Sequence, residues 1–361
     1  MAYCSQILVN SWQFSLNLDA MNTNRITSFD AGRVIALFAV ITIHCQLFKT
    51  APLINGEPWV GLVLNQLSRF AVPLFFILAG YFIAPKLKDA PFPTLKKYGQ
   101  PLLKVWLAWS VIYLVSPFNF DTLIKQGYFA ERMGYWQYLL SQPLNTLFEG
   151  GMVHLWYIPG LLSGLFVIAL CFKYKVPHTA IVAIAVIIYL YGLMGGSYTA
   201  VFHIDPPIFT RNGPFMSTLM LGIGIWLRIN NTRCRLAVAA TITLIGVLLH
   251  FGEAMFLLRF DMPFNEHDFL FGTPIWATGL FLMLLSRPQF GSFPALPYLS
   301  QQVLGVYLCH ILIIIYLMNL LPMLGVSGYT NEIARWILAC IISYGVVSLI
   351  DKTALKKLLL R

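Results

Sequence analysis

Arg33 and His44 lie in one apolar stretch, with the ten residues Val34 to Ile43 between them. Eleven steps of about 100° return the second side chain to within about 20° of the first. Both then project from one helix face, about 16 Å apart along its axis. A guanidinium and an imidazole in hydrocarbon are costly unless they face a protein interior or a wet cavity, so the pair reads first as function. The plain alternative is an Arg that snorkels from a span end and a His packed in a core. Chemically, the guanidinium suits an anion. An imidazole titrating near 6.5 suits a general base or a carrier of a transferred group.

Further candidates follow along the chain. Arg69 lies about 15 Å into the second apolar stretch, too deep for easy snorkelling, and calls for an anionic partner or water. Pro73 after it is expected to kink the helix, and Ala79-Gly80 to admit a close neighbour. Lys104 joins Arg33 and Lys96-Lys97 in a cationic mouth suited to the phosphates of a donor, against ordinary interfacial snorkelling. Glu149 and His154 mark the opposite mouth. There they either handle protons beside a polar acceptor or serve as a solvated charge and a packed ring. Tyr307 and His310 share a helix face at i, i+3. His310 falls at the depth of His44, which suggests one shared cavity. His178, His203, His250 and His267 are placed near loops, with no role.

The six cysteines are scattered without a CxxC, so neither a disulfide nor a metal site is expected. The sequence contains no HExxH, GxSxG or Gly-rich phosphate loop.

The elements that must position these groups are set by composition. Of 361 residues, 58% are hydrophobic and 11% charged, against roughly 25% charge in a soluble domain. The chain therefore reads as an all-α polytopic membrane protein, its backbone polar groups paired inside helices. About ten transmembrane helices are expected, near 30–49, 59–84, 98–116, 153–172, 177–194, 211–229, 236–252, 268–286, 298–320 and 331–350. With both termini cytoplasmic, 15 of the 24 Lys and Arg fall in inside segments and 5 in outside ones, as the positive-inside rule requires. That bias accounts for the net charge of +10, and no basic-aromatic stripe points to nucleic acid. Residues 1–24 read as an N-terminal tail without the positive start of a secretory signal. Residues 25–361 read as one membrane domain.

Together these residues resemble the acyltransferase type 3 family of integral-membrane acyltransferases. Its hallmark is Arg, ten residues, then His in the first span. Arg69-Phe-Ala-Val-Pro73-Leu-Phe-Phe76 is similar to its Arg-x-x-Val-Pro-x-Phe-Phe block. His154-Leu-Trp-Tyr157 and Gly305-Val-Tyr307-Leu-Cys-His310 are similar to its His-Leu-Trp-aromatic and Gly-x-Tyr-x-x-His segments. Within the family the chain looks most like the enterobacterial common antigen O-acetyltransferase group. Two departures are Gly32 before Arg33 where Gly usually follows, and Ala79-Gly80 where Ser-Gly is usual.

The resemblance implies a multi-pass O-acetyltransferase of the bacterial inner membrane, taking acetyl-CoA as donor substrate with no bound cofactor. Its acceptor would be an envelope glycan or lipid-linked sugar. Arg33 and Lys104 would then meet the CoA phosphates. His44 would act as general base or acyl carrier, and Arg69 would stabilise the oxyanion. His310 and Tyr307 would support the acceptor or steer His44, with Glu149 and His154 on the acceptor side. Membrane lipid and a second copy of the chain are further candidate partners. The rival for the same buried Arg and His is a proton-coupled transporter of sugars, lipids or drugs, although no repeated halves are legible. A non-catalytic scaffold would leave the Arg33/His44 alignment unexplained.

Overall fold

The computed structural model describes residues 25–360, so the expected tail 1–24 lies outside them. Among the described residues the regular elements are helices, apart from an isolated bridge between Ile54 and Glu57. The chain runs through α1 (Thr27–Cys45), α2 (Trp59–Leu67), α3 (Ala71–Asp89) and α4 (Pro91–Val115). Three short helices follow, α5 (Phe120–Gln126), α6 (Tyr128–Ser141) and α7 (Pro143–Glu149). A 3-10 turn, Val153–Trp156, then leads into α8 (Tyr157–Lys173), α9 (His178–Met194) and α10 (Thr199–Phe202). The rest is α11 (Pro214–Ile229), α12 (Leu236–Leu257), α13 (Gly272–Ser286), α14 (Leu296–Met323), α15 (Gly328–Asp351) and α16 (Lys356–Leu359).

A helix stands in each of the ten expected ranges. Among the described residues, six spans are long and apolar enough to cross a bilayer: α1, α2–α3, the 3-10 turn with α8, α12 with its extension to Phe260, α14 and α15. A seventh results if α4 and α5, bent 52° apart, are taken together. The shorter apolar helices are α9, α11 and α13. Two of these are short for a local reason. α11 starts after Arg211, and α13 starts after Asp268, so each gives up its first expected turn to a loop carrying a charge.

Glycines decide which helices touch. A Cβ on Gly80 of α3 would strike the Leu221 carbonyl of α11, and one on Gly224 of α11 would strike the Ile77 carbonyl of α3. Between lipid-immersed helices, such small residues allow the backbone approach that packing requires. Gly246 on α12 sits in the same way against Trp276 of α13.

The kink expected at Pro73 is a break instead. The second span is interrupted at Ser68–Phe70, and Pro73 occupies the first turn of α3. A proline there loses no intrahelical bond, because the first N–H groups of a helix have none. Its ring does exclude the Arg69 carbonyl four residues back, so the helix stops where Arg69 stands.

Candidate active site

The Arg33 end of α1 is organised by one buried carboxylate. The helix begins at Thr27, so Asp30 sits in its first turn and does not cap it. Asp30 accepts from Arg25 Nε at 2.6 Å, from the Ser300 hydroxyl of α14 at 2.6 Å and from Arg33 at 3.4 Å. The Arg33 guanidinium also lies 5.0 Å from the Phe82 ring centroid. It remains partly exposed and lines a cavity of about 590 Å³ with Tyr157, Gln301, Gln302, Tyr307 and Lys356 among its walls. Lys104 does not join it. That side chain is exposed on α4 and absent from the cavity lining, because Leu102 and Val105 take the buried face of its turn.

At the other end of α1, three imidazoles come together. His44 lies with its ring centroid 5.2 Å from that of His310 and 6.5 Å from that of His154, and the latter two are 5.2 Å apart. The expected matching depth of His44 and His310 is therefore a contact. Hydrogen bonding assigns two of the rings. A carbonyl only accepts, so His310 Nδ1 donates to the Tyr307 carbonyl at 2.6 Å and His154 Nε2 donates to the Leu308 carbonyl at 3.2 Å. His310 Nε2 and His154 Nδ1 are left buried with no partner among the described residues. His44 is only half-buried and faces a second cavity, of about 230 Å³. The end of α1 is pinned by Arg335 of α15, which donates to the Cys45 carbonyl at 2.7 Å.

Tyr307 lines both cavities. Its hydroxyl donates to the His154 carbonyl, and its ring lies 5.5 Å from Tyr157. Arg33 and His44 thus line two chambers, with Tyr307 in the wall between them.

The second chamber carries a row of alternating charges. Arg69 donates to Asp268 at 2.9 Å, to the Asn265 carbonyl at 2.6 Å and to Asn65 at 3.2 Å. The other oxygen of Asp268 lies 3.5 Å from Arg211, which bonds Glu149 at 2.9 Å. Asn212 donates to Glu149 at 3.2 Å. Glu149 is therefore a buried, paired carboxylate, which removes the solvated loop charge; the C-terminus of α7 turns it inward. It does not line the chamber itself, whereas Arg69, Arg211, Asp268 and His154 do. Burial alone would weaken the hold of Arg211 on its proton. Asp268 and Glu149 more than reverse this and raise it above the usual guanidinium value.

Asp268 and Arg211 escaped the sequence reading, in which they stand at the starts of the expected spans 268–286 and 211–229 with no role. The signal was present: a deep Arg69 demands an acid, and Asp268 stands where an expected span begins. His250, placed near a loop in that reading, is fully buried on α12.

A family model described as an acyltransferase domain matches residues 26–352. The serine/alanine racemase of Enterococcus gallinarum is 29% identical over 282 residues, covering 71% of this chain and 36% of that protein. An amino-acid racemase of Enterococcus faecalis is 25% identical over 341 residues, covering 89% of this chain and 45% of that protein. The chain spans less than half the length of the curated relatives it matches, and their names describe those longer proteins. No solved structure matches. The match over nearly all of the membrane domain, on a chain whose Arg33 and His44 occupy adjoining chambers, places this protein in the acyltransferase type 3 family of multi-pass membrane proteins.

Proposed function

We propose that the chain is a membrane O-acyltransferase that moves an acetyl group from acetyl-CoA to a hydroxyl of an envelope glycan or lipid-linked sugar. The family supports acyl transfer. The acetyl donor and glycan acceptor rest on the likeness to the common antigen O-acetyltransferase group. In this reading the chain crosses the bacterial inner membrane ten times with both termini in the cytosol, as its basic segments favour. The Arg33 chamber then opens to cytosolic donor and the His44 chamber to acceptor.

The observation that carries the proposal is that Tyr307 walls both chambers. A donor with its phosphates at Arg33 can extend its arm to that wall and bring the thioester towards His44. The neutral imidazole takes the proton as the acceptor oxygen attacks the thioester carbonyl carbon. Arg69, held against Asp268, faces the developing oxyanion. The carbon–sulfur bond then breaks, the thiolate leaves with the proton from His44, and an ester and free CoA thiol remain. Hydrogen bonds to the Tyr307 and Leu308 carbonyls hold the rings of His310 and His154, which limits the orientations open to His44.

The test is thiol release from acetyl-CoA by purified protein in the presence of acceptor. His44→Ala is expected to accumulate in membranes and release none; acetylation retained by that variant removes the catalytic role. Uptake of a solute without consumption of acetyl-CoA would favour the transporter instead.

A further inference from the structure

Gln66, His250 and Thr273 form a fully buried polar cluster that lines neither chamber. Its hydrogen bonds run in one direction. Gln66 Nε2 donates to the Phe264 carbonyl, which fixes the amide and turns Oε1 towards His250 Nε2 at 2.8 Å. An amide oxygen only accepts, so the ring proton sits on Nε2 and Nδ1 is bare. Nδ1 accepts the Thr273 hydroxyl at 3.0 Å, and Thr273 Oγ1 accepts the Leu270 N–H at 2.7 Å. No member of this relay is left unpaired, which is the condition for a buried polar network to hold one arrangement.

The two ends of the relay bracket the charges of the second chamber. Gln66 stands in the last turn of α2, three residues before Arg69 in the helix break. Phe264 and Leu270 flank Asp268 in the loop between Phe260 and Gly272, and Arg69 itself donates to the Asn265 carbonyl in that loop. His250, on a third element, therefore ties the break to the loop from behind.

We propose that His250 is a positioning residue for the Arg69–Asp268 pair, setting the distance between the helix break and the loop so that the guanidinium stays aimed into the His44 chamber. The inference rests on the acyl-transfer reading. An apolar side chain at 250 leaves Gln66 Oε1 and the Thr273 hydroxyl buried and unpaired, and the break can shift to satisfy them. A Gln at 250 offers an amide donor towards Gln66 and a carbonyl acceptor towards Thr273.

The experiment compares wild type, His250→Leu and His250→Gln as full-length protein in lipid nanodiscs. His250→Leu is expected to lower kcat by about tenfold to a hundredfold, the scale of a small misplacement of a reacting group, with the KM for acetyl-CoA within about twofold of wild type. His250→Gln is expected to recover most of kcat. An unchanged kcat in folded His250→Leu, or a Gln variant no better than Leu, overturns the proposal. Thr273→Val against Thr273→Ser repeats the comparison if His250→Leu fails to accumulate. Absence of acetyl transfer by wild type would instead refute the acyl-transfer reading. Positioning is then read from thermal stabilities of His250→Leu, Asp268→Asn and the double variant: a less than additive loss supports it, and strict additivity overturns it.

Discussion

Around Arg33, one carboxylate gathers two cations and a hydroxyl, and about 590 Å³ of space opens beyond them between tyrosines, glutamines and aliphatic side chains. Around His44 the space is about 230 Å³, and guanidinium and carboxylate alternate from Arg69 through Asp268 and Arg211 to Glu149. The first chamber is roomy, with Arg33, Asp351 and Lys356 among its walls, and suits a long flexible donor. The second is small, and its charged groups are fixed by each other, as required where charge develops during reaction. Binding energy and catalytic energy should then separate along α1. Changes near Arg33 should act on KM and changes near His44 on kcat.

The largest effect should come from Arg69→Leu. Loss of an oxyanion donor is expected to reduce kcat by about 10²–10³ with little change in donor KM; a change confined to KM would reverse the assignment of the two chambers. Asp268→Asn should come next. It leaves Arg69 and Arg211 facing each other without their shared carboxylate. Because Asp268 is about one-third exposed, the loss should fall below the ~3–5 kcal/mol of a fully buried pair. Steady-state kinetics should show a fall in kcat smaller than that of Arg69→Leu.

On the donor side, Arg33→Ala should raise the KM for acetyl-CoA by about tenfold, the scale of one lost charge-assisted contact, with kcat nearly intact. Lys104→Ala, outside the chamber, should stay within about twofold of wild type in both constants. Equal effects from the two would mean that the donor phosphates lie at the membrane surface and not in the Arg33 chamber.

The smallest effect concerns His267, beside Asp268. Burial, reinforced by Arg69, pushes this ring from 6.5 down to about 4. In the unfolded chain the ring takes up its proton first, so its contribution to stability is full above about 6.5 and is lost as pH falls towards about 4. Thermal denaturation between pH 7.5 and 4.5 should therefore show a steeper acid decline for wild type than for His267→Gln, which cannot titrate. Parallel declines would remove His267 as the cause.

Much of the second chamber was legible because hydrocarbon penalises polar groups. Arg33, His44, Arg69 and His310 stand out in apolar runs for that reason, and helical period and depth brought His44 to His310. Asp268, Arg211 and Glu149 were obscured because a charge next to a span reads equally as a loop charge. Only the chain reversals that return α7, α11 and α13 to one mouth turn these three inward. His250 was invisible for a different reason: a fully paired buried histidine looks like any other until its partners, 184 and 23 residues away, are known. Lys104 erred the other way. Helical phase directs it outwards, with Leu102 and Val105 inwards. Hydropathy placed a helix in each expected range, although α4 starts seven residues early at Pro91, and α11 and α13 yield a turn to Arg211 and Asp268.

The most direct measurement is a structure of the protein in nanodiscs with a thioether analogue of acetyl-CoA. The account predicts phosphates against Arg33, the arm threading the larger chamber, and the thioether at a displaced Tyr307, with its acetyl carbon facing His44. An analogue bound with its sulfur remote from His44, or seated in the groove beside Gly32 and Arg287, would contradict it.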